Sequence, residues 1–234
     1  MNLQVYVLTN SKYMWAIQPF AYLFNCFWSE LQPVTVVTDV VPNFNLPPNF
    51  SVMLLNDGHP LPKEKWSDGL IAMLDMIPDE ILVLLLEDYW LVRTVDNGGI
   101  NTLADYMRDH KEILRVDLTD DRLYAGDRYD IGAWGHYDLI ETPGDSPYQM
   151  SLQAGIWNHD LLLSLLRPGL NPHEVELFLS PTIHERGDMR VIGTRQRLIK
   201  YANVYYQGKV QEEQIAMVPK EHLKVIKEKG WLKK

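Results

Sequence analysis

The feature of the sequence that most constrains the fold is an apolar run that ends in two acids. Residues Ile81–Leu86 are all Ile, Leu or Val, and Glu87 and Asp88 follow directly. A continuous apolar run without polar alternation is typical of a strand that is covered on both faces, as in the middle of a parallel α/β sheet. The sequence therefore predicts a buried strand that delivers carboxylates to a site at its carboxyl end.

Strand and helix patterns alternate over the first part of the chain. Apolar, β-prone segments predict strands at residues 5–8, 34–39 and 51–55, and helical spacing of apolar residues predicts helices at 15–31 and 66–77. This alternation favours an α/β fold with a mixed, mostly parallel central sheet. A chain of 234 residues is long enough for one substantial core. We expect a single domain over residues 1–215.

The second half of the chain gives weaker patterns. It predicts a helix at 100–107, a short strand at 114–118 and a helix that starts at Asp160 and runs through Leu166. The segment 124–148 is rich in Gly, Asp, Tyr and Trp and has little periodicity. Such a segment is typical of a hairpin or an active-site loop.

Polar residues stand at the carboxyl ends of three predicted strands. Thr9 and Asn10 follow the first strand, Asp39 ends the second, and Glu87 with Asp88 ends the apolar run. Two carboxylates beside an apolar core repel each other and are poorly solvated, and a divalent cation removes that penalty. Mg²⁺ or Mn²⁺ binds one or two carboxylates together with substrate phosphate oxygens, which would suit a nucleotide diphosphate. The residues alone leave open that the two acids only cap the next turn.

A second group of candidate residues lies later in the chain. Gln153 offers an amide and Trp157 an aromatic ring, the pair of groups that commonly holds a sugar by hydrogen bonds and stacking. Glu174 and Glu176 each offer a general base. The alternatives are structural: Trp157 can belong to the core, and the two glutamates can favour the dipole at a helix start.

Charge and composition narrow the setting of the protein. The formal net charge is −9, which argues against general affinity for nucleic acid. Residues 216–234 are predicted to form a basic helix or tail, and a second basic cluster lies at 186–200. A solvated surface is the favoured interpretation of both, with an anionic partner as the alternative.

Localisation and redox setting follow from further features of the sequence. The N-terminus has no basic region and no small-residue cleavage site, and no stretch approaches the roughly 20 apolar residues of a membrane span. We therefore expect a soluble, cytoplasmic protein. Cys26 stands among aromatic residues, which predicts a buried and unreactive thiol.

Three segments together resemble a known family. The sequences "WSDGL", "LLLEDYWL" and "SLQAGIWNHDLLLSLLRPGLNPHEVE" occur in this order. They resemble small bacterial and phage glycosyltransferase-like proteins with a GT-A-type fold, over about residues 60–180. The last segment is the most specific part of the likeness.

On the donor side, the resemblance implies a metal and diphosphate site at Asp88 and Glu87 and a nucleotide contact at Asp68. The acidic strand end is similar to a variant of the family's DxD motif. Tyr89 stands where that motif would continue towards its second aspartate. This departure weakens the implied dependence on Mg²⁺ or Mn²⁺.

On the acceptor side, the resemblance implies that Gln153 and Trp157 lie near the sugar or the acceptor. It also implies that Glu174 or Glu176 is the general base. His173 is a departure, because the family pattern has Trp at that position.

The resemblance implies transfer of a sugar from a nucleotide-diphosphate sugar to a hydroxyl group. The acceptor class stays open between a glycan, a lipid-linked acceptor and a modified nucleobase of DNA. In the last case the basic residues at 186–200 and 220–234 would form the DNA track. The rival from another class is a non-catalytic protein that binds a nucleotide or a sugar.

Overall fold

The computed structural model describes residues 3–206 and 209–232 of the chain. They form a mixed α/β fold. The strands are β1 Gln4–Leu8, β2 Val34–Thr38, β3 Phe50–Leu54, β4 Ile81–Leu86, β5 Tyr89–Leu91, β6 Ile113–Asp117, β7 Tyr129–Trp134, β8 Tyr137–Glu141, β9 Gly155–Asn158, β10 Arg190–Thr194, β11 Tyr201–Asn203, β12 Tyr205–Tyr206 and β13 Lys209–Val210. The α-helices are α1 Ile17–Phe27, α2 Trp66–Met76, α3 Asn97–Asp109, α4 Asp121–Tyr124, α5 His159–Leu165, α6 Pro172–Arg186, α7 Glu212–Ile215 and α8 Lys220–Glu228.

The chain divides into two compact units. The first, here called the N-terminal unit, comprises Val5–Pro60, Leu85–Asp96 and the residues from Ile199 onward. The second, here called the central unit, comprises Leu61–Leu84 and Asn97–Leu198 together with the residues up to Gln4.

Parallel strands organise the N-terminal unit. β1 pairs with β2, with Val5 opposite Val34, and β2 pairs with β3, with Val34 opposite Phe50. Their β-branched side chains pack well on a pleated surface, which favours strands here. Parallel strands end at the same edge of a sheet, so the residues that follow β1 and β2 lie on one side.

The C-terminal helix α8 packs in the N-terminal unit. The Tyr22 hydroxyl and His222 Nδ1 are 2.9 Å apart, and the His222 and Phe27 rings are 4.9 Å apart. Ile226 is fully buried, while the lysines of α8 are exposed. The predicted division at residue 215 stays a prediction.

Antiparallel pairing dominates the central unit. Its strands follow the order β4, β9, β6, β10, β8 and β7. β9 is antiparallel to both of its neighbours, whereas β6 and β10 are parallel. β7 and β8 form a hairpin, one of the two alternatives predicted for residues 124–148.

The mixed α/β sheet and the strand at Ile81–Leu86 are confirmed, since Ile81–Leu85 of β4 are buried. The prediction for Cys26 is wrong, because this residue is exposed on α1. Asp160 is not the N-cap of α5. Asn158 takes that place, and its side chain accepts a hydrogen bond from Leu161 N.

Among the residues that the structure describes, no helix has the length and apolar character required to cross a bilayer.

We expect Leu82→Ala to lower the free energy of unfolding by about 3 kcal/mol, because it removes a fully buried side chain of β4 and leaves a cavity. Urea unfolding measures this value. The control is Met76→Ala, which truncates a 60% exposed side chain on α2 and should change stability by less than about 0.5 kcal/mol. Equal effects of the two substitutions would contradict the burial of β4.

Candidate functional site

The carboxyl ends of β1, β2 and β4 meet in the N-terminal unit. Glu87 N donates to Leu8 O at 3.3 Å, and Thr9 N donates to Val37 O at 3.0 Å. These bonds bring the first residues after each strand together. The sequence prediction that Thr9, Glu87 and Asp88 follow neighbouring strand ends agrees with these contacts.

Asn10 and Asp39 shape the loop that follows β1. Asp39 is 2% exposed, and its Oδ1 accepts from Ser11 N at 2.6 Å. Asn10 Oδ1 accepts from Lys12 N at 3.0 Å, and Asn10 O accepts from Tyr13 N at 3.0 Å. Asn10 and Asp39, which are both predicted to contact the ligand, therefore fix the backbone of residues 9–13. Direct contact of either side chain with a ligand stays a prediction.

The Glu87 and Asp88 carboxyl groups both resist ionisation. Burial raises the pKa of Asp88 to about 7. Burial, and next the charge of Asp88, raise the pKa of Glu87 well above its ordinary value. Two neighbouring carboxylates that resist ionisation form a site where a cation would replace protons.

Hydrogen bonds hold Asp88 in place, but they satisfy only part of its hydrogen-bonding capacity. Asp88 O accepts from Val204 N at 3.0 Å, and Asn203 Nδ2, in the amide orientation that satisfies its neighbours, donates to Asp88 Oδ2 at 2.8 Å. Asp88 Oδ1 and Thr9 Oγ1 are buried and have no hydrogen-bond partner among the described residues. Buried polar atoms are normally paired, so these two atoms are candidates for contact with a ligand.

The donor set at β4 fits a hard cation that is completed by its substrate. Mg²⁺ often binds through one or two carboxylates plus phosphate oxygens and water, and Glu87 with Asp88 supplies that number. The described part of the chain contains no group of three or more His, Cys, Asp or Glu side chains suited to a metal. The residues therefore fit a cation that needs ligands from a diphosphate, and not a self-sufficient metal centre.

Sequence reasoning missed several residues around this site. Lys12 is exposed, and its Nζ lies 5.0 Å from the centre of the Tyr13 ring. Tyr13 and Tyr205 are in edge contact at 4.7 Å, and Asn203 Nδ2 also donates to Tyr205 O at 2.9 Å. Asn203 and Tyr205 lie more than 100 residues from Asp88 in sequence, so no local pattern could indicate them.

We expect the free energy of unfolding of the metal-free protein to fall as pH rises from about 4 to about 7. Asp88 has a raised pKa in the folded state, so the unfolded chain releases its proton at lower pH, and the folded state loses stability over that range. Asp88→Asn should remove a loss of about 4 kcal/mol.

Urea unfolding at pH 5 and pH 8 in the presence of a chelator tests this expectation. Asp57→Asn, which changes an exposed aspartate of the same unit, is the control and should keep the wild-type pH dependence. An Asp88→Asn protein with the same pH dependence as wild type would show that Asp88 ionises normally.

In the central unit, Glu174 and Glu176 have different environments. Glu174 completes the capping box of α6: its Oε2 accepts from Asn171 N at 2.9 Å, and Asn171 Oδ1 accepts from Glu174 N at 3.1 Å. Glu176 lies two residues, or about half a turn, further along α6 and lines an open groove. Its Oε1 accepts from Leu152 N at 2.8 Å. Burial raises the pKa of Glu176, and that hydrogen bond and the charge of Arg115 oppose the rise.

Trp157 and Gln153 are linked to the buried Arg115. The Trp157 ring is 0% exposed, and the Arg115 guanidinium lies 5.3 Å from its centre. Arg115 Nη2 donates to Gln153 O at 3.0 Å. The Trp157 ring therefore offers no accessible face for a sugar as it stands, and the predicted sugar contacts of Trp157 and Gln153 stay predictions.

Asp68 anchors a turn of the central unit. Its Oδ2 accepts from Gly169 N at 2.7 Å, and the neighbouring Ser67 Oγ accepts from Leu170 N at 2.9 Å. These bonds tie the start of α2 to the loop before α6. The predicted contact of Asp68 with a nucleotide stays a prediction.

The main feature of the central unit that sequence reasoning missed is a buried charge network. Asp117 is 0% exposed and lies 3.5 Å from Arg115 and 3.7 Å from Arg122. Arg122 Nη2 donates to Tyr148 O at 2.7 Å, and its Nη1 donates to Thr142 Oγ1 at 3.1 Å. A buried arginine thus fixes both ends of residues 142–148. Gly193 allows this, because a Cβ there would lie 2.7 Å from Arg122 Cγ.

The basic cluster at 186–200 is largely neutralised by ion pairs. Arg190, for example, lies 2.7 Å from Glu141. These contacts leave little free positive charge for a DNA backbone. The pairs are Arg186–Asp188, Arg190–Glu112, Arg190–Glu141, Arg195–Asp130 and Arg197–Asp120.

Comparison with known proteins shows the fold. No protein-family model matches the chain, and no curated protein sequence matches it. The structure of S. aureus TarS residues 1–349 in complex with UDP-GlcNAc is similar to this chain, with a TM-score of 0.53 and 13% identity, over 93% of this chain and 64% of that one. This similarity supports the predicted GT-A-like fold class.

Two further solved structures are less similar. A cytidylyltransferase from Leptospira borgpetersenii serovar Hardjo-bovis has a TM-score of 0.49 and 11% identity, over 98% of this chain and 95% of that one. A UDP-glucose pyrophosphorylase complexed with UDP-glucose has a TM-score of 0.48 and 11% identity, over 98% and 100%. At these identities, the comparisons describe the fold and not the activity.

Proposed function

We propose that this protein is a glycosyltransferase that moves a sugar from a nucleotide-diphosphate sugar to a hydroxyl acceptor. The fold similarity to TarS, which was solved with UDP-GlcNAc, supports use of a nucleotide sugar. The observation that carries the proposal is the carboxylate pair Glu87 and Asp88 at the end of the buried strand β4. Such a pair is costly without a cationic ligand.

The donor-side roles fall to the N-terminal unit. Thr9 has a buried hydroxyl oxygen without a partner among the described residues, and Asn10 and Asp39 hold the loop that contains it. Lys12 on this loop offers a cation that would offset charge on a leaving diphosphate. Asn203 fixes the orientation of the Asp88 carboxylate.

Glu87 and Asp88 would hold Mg²⁺ or Mn²⁺. A cation bound there supplies positive charge against the diphosphate and lowers the barrier to its departure. Asp88 Oδ1, which has no partner among the described residues, is the atom that we assign to the cation. The poorly solvated surroundings strengthen the attraction between the pair and a cation, which offsets the cost of desolvating them.

Glu176 is the general base that we assign in the central unit. It lines a groove that an acceptor can enter, and its bond to Leu152 N fixes the carboxylate. Its raised pKa makes it a better proton acceptor than an ordinary glutamate. Glu174 is committed to the cap of α6, which leaves Glu176 as the preferred of the two predicted bases.

We expect at least one of a panel of UDP-, GDP- and dTDP-sugars to raise the melting temperature in the presence of Mn²⁺. A ligand at 100 times its Kd adds about 2.7 kcal/mol, or about 5–10 °C for a chain of this size. Asp88→Asn should remove the Mn²⁺-dependent part of the shift, and Asp57→Asn should keep it. No shift with any member of the panel would contradict the proposal.

We expect Glu176→Gln to slow release of nucleoside diphosphate from the bound donor by about 10²–10⁴-fold, because transfer to water also needs a base. Donor affinity should not change. Glu174→Gln is the matched control and should retain the rate, because glutamine also completes a capping box. Phosphorus-31 NMR measures the rate of release. Equal rates for Glu176→Gln and wild type would exclude Glu176 as the base.

The second candidate function is non-catalytic binding of a nucleotide sugar. The departure of the acidic motif from DxD favours it, because Tyr89 stands where the motif would continue towards a second aspartate. The same release experiment separates the two candidates. Saturable binding without any release of nucleoside diphosphate would favour the non-catalytic protein.

A further inference from the structure

A groove of the central unit has the size and lining of a sugar site. It lies between residues 144–148 and one side of α6, and its volume is about 350 Å³. This volume is at the lower end of the range for small-molecule sites. Tyr148 forms part of the loop side, and Glu176, Ser180 and His184 form part of the helix side.

The loop side of this groove is built on buried polar contacts. Tyr148 has a φ of 56°, a value that non-glycine residues rarely adopt. Arg122, which is 2% exposed, donates to Tyr148 O at 2.7 Å and to Gln149 Oε1 at 3.3 Å. Gln149 Nε2 in turn donates to Pro143 O at 2.6 Å. This network holds the backbone at Tyr148, while its side chain stays 49% exposed.

The helix side is fixed to the loop that precedes β9. Ser180 Oγ accepts from Met150 N at 3.0 Å, and Glu176 Oε1 accepts from Leu152 N at 2.8 Å. Both walls of the groove are therefore anchored by hydrogen bonds. A preformed groove loses less entropy when a ligand binds than a flexible loop does.

The charges of the groove select the type of ligand. Its described lining includes the acids Asp145 and Glu176 and the imidazole of His184, and contains no Lys or Arg. A polyanion such as DNA would meet repulsion there. An exposed phenol ring beside carboxylate and imidazole groups suits a neutral sugar, whose CH face stacks on the ring while its hydroxyls bind the polar groups.

We propose that this groove binds a neutral sugar unit of the acceptor, with Tyr148 as its stacking platform. This inference rests on the proposed function, because it gives a substrate class to the groove that contains Glu176. It selects a carbohydrate acceptor over a modified nucleobase in DNA. Tyr148 acts by binding the acceptor and takes no part in proton transfer.

Saturation-transfer NMR with the full chain tests the proposal. The probes are methyl glycosides of glucose, galactose and N-acetylglucosamine, and a short duplex DNA is the anionic comparison. At least one glycoside should bind at concentrations up to about 20 mM, and Tyr148→Ala should weaken that binding about tenfold. Tyr148→Phe keeps the ring and should bind within about threefold of wild type. Tyr124→Ala, which removes an 80% exposed tyrosine outside the groove, is the control.

The proposal is overturned if no glycoside binds, or if binding is the same in wild type and Tyr148→Ala. Binding of the duplex that competes with the glycosides would also overturn it. A parallel titration with UDP and Mn²⁺ separates this inference from the proposed function. If UDP binds and the glycosides do not, the groove assignment fails alone. If the glycosides bind through Tyr148 and no nucleotide or nucleotide sugar binds, the groove stands and the transferase proposal fails.

Discussion

The poor solvation of two adjacent, half-buried carboxyl groups at the end of an apolar strand is the constraint on which the proposed donor site depends. β4 is buried over Ile81–Leu85, so Glu87 and Asp88 leave it where solvation is poor. The fold offers partial compensation through Asn203 and leaves Asp88 Oδ1 without a partner among the described residues. This arrangement is therefore costly to folding, as groups that binding sites require commonly are.

A second buried charge network organises the central unit. Asp117 forms ion pairs with both Arg115 and Arg122, and the two arginines contact different parts of the unit. Arg115 contacts the Trp157 ring and Gln153 O, whereas Arg122 holds Tyr148 O. Removal of one member of such a network leaves an uncompensated buried charge, so its members act together. Through Tyr148 O, this network also supports the loop side of the groove that Glu176 lines.

The sequence predicts the fold better than it predicts the site. The apolar run at Ile81 and the β-branched segment at Val34 indicate strands by local pattern, and both strands are present. The partners of Asp88 and the support of Tyr148 come from residues distant in sequence, which a single sequence does not connect. The same limit explains Trp157: its residue type suits both a core and a sugar site, and only the contact with Arg115 shows its burial. The prediction of a buried Cys26 is wrong for a related reason, since aromatic neighbours along a helix need not lie on the same face as the cysteine.

An electron paramagnetic resonance titration of Mn²⁺ tests whether Glu87 and Asp88 form a cation site on the donor side. The signal of free Mn²⁺ disappears when the ion is immobilised, so bound and free ion can be counted with protein alone, with UDP alone and with both. The account predicts strong binding only when protein and UDP are both present, because Glu87 and Asp88 supply too few ligands by themselves, and it predicts loss of that binding in Asp88→Asn. Mn²⁺ binding that is the same in wild type and Asp88→Asn with UDP present would contradict the claim that this carboxylate pair is the donor site.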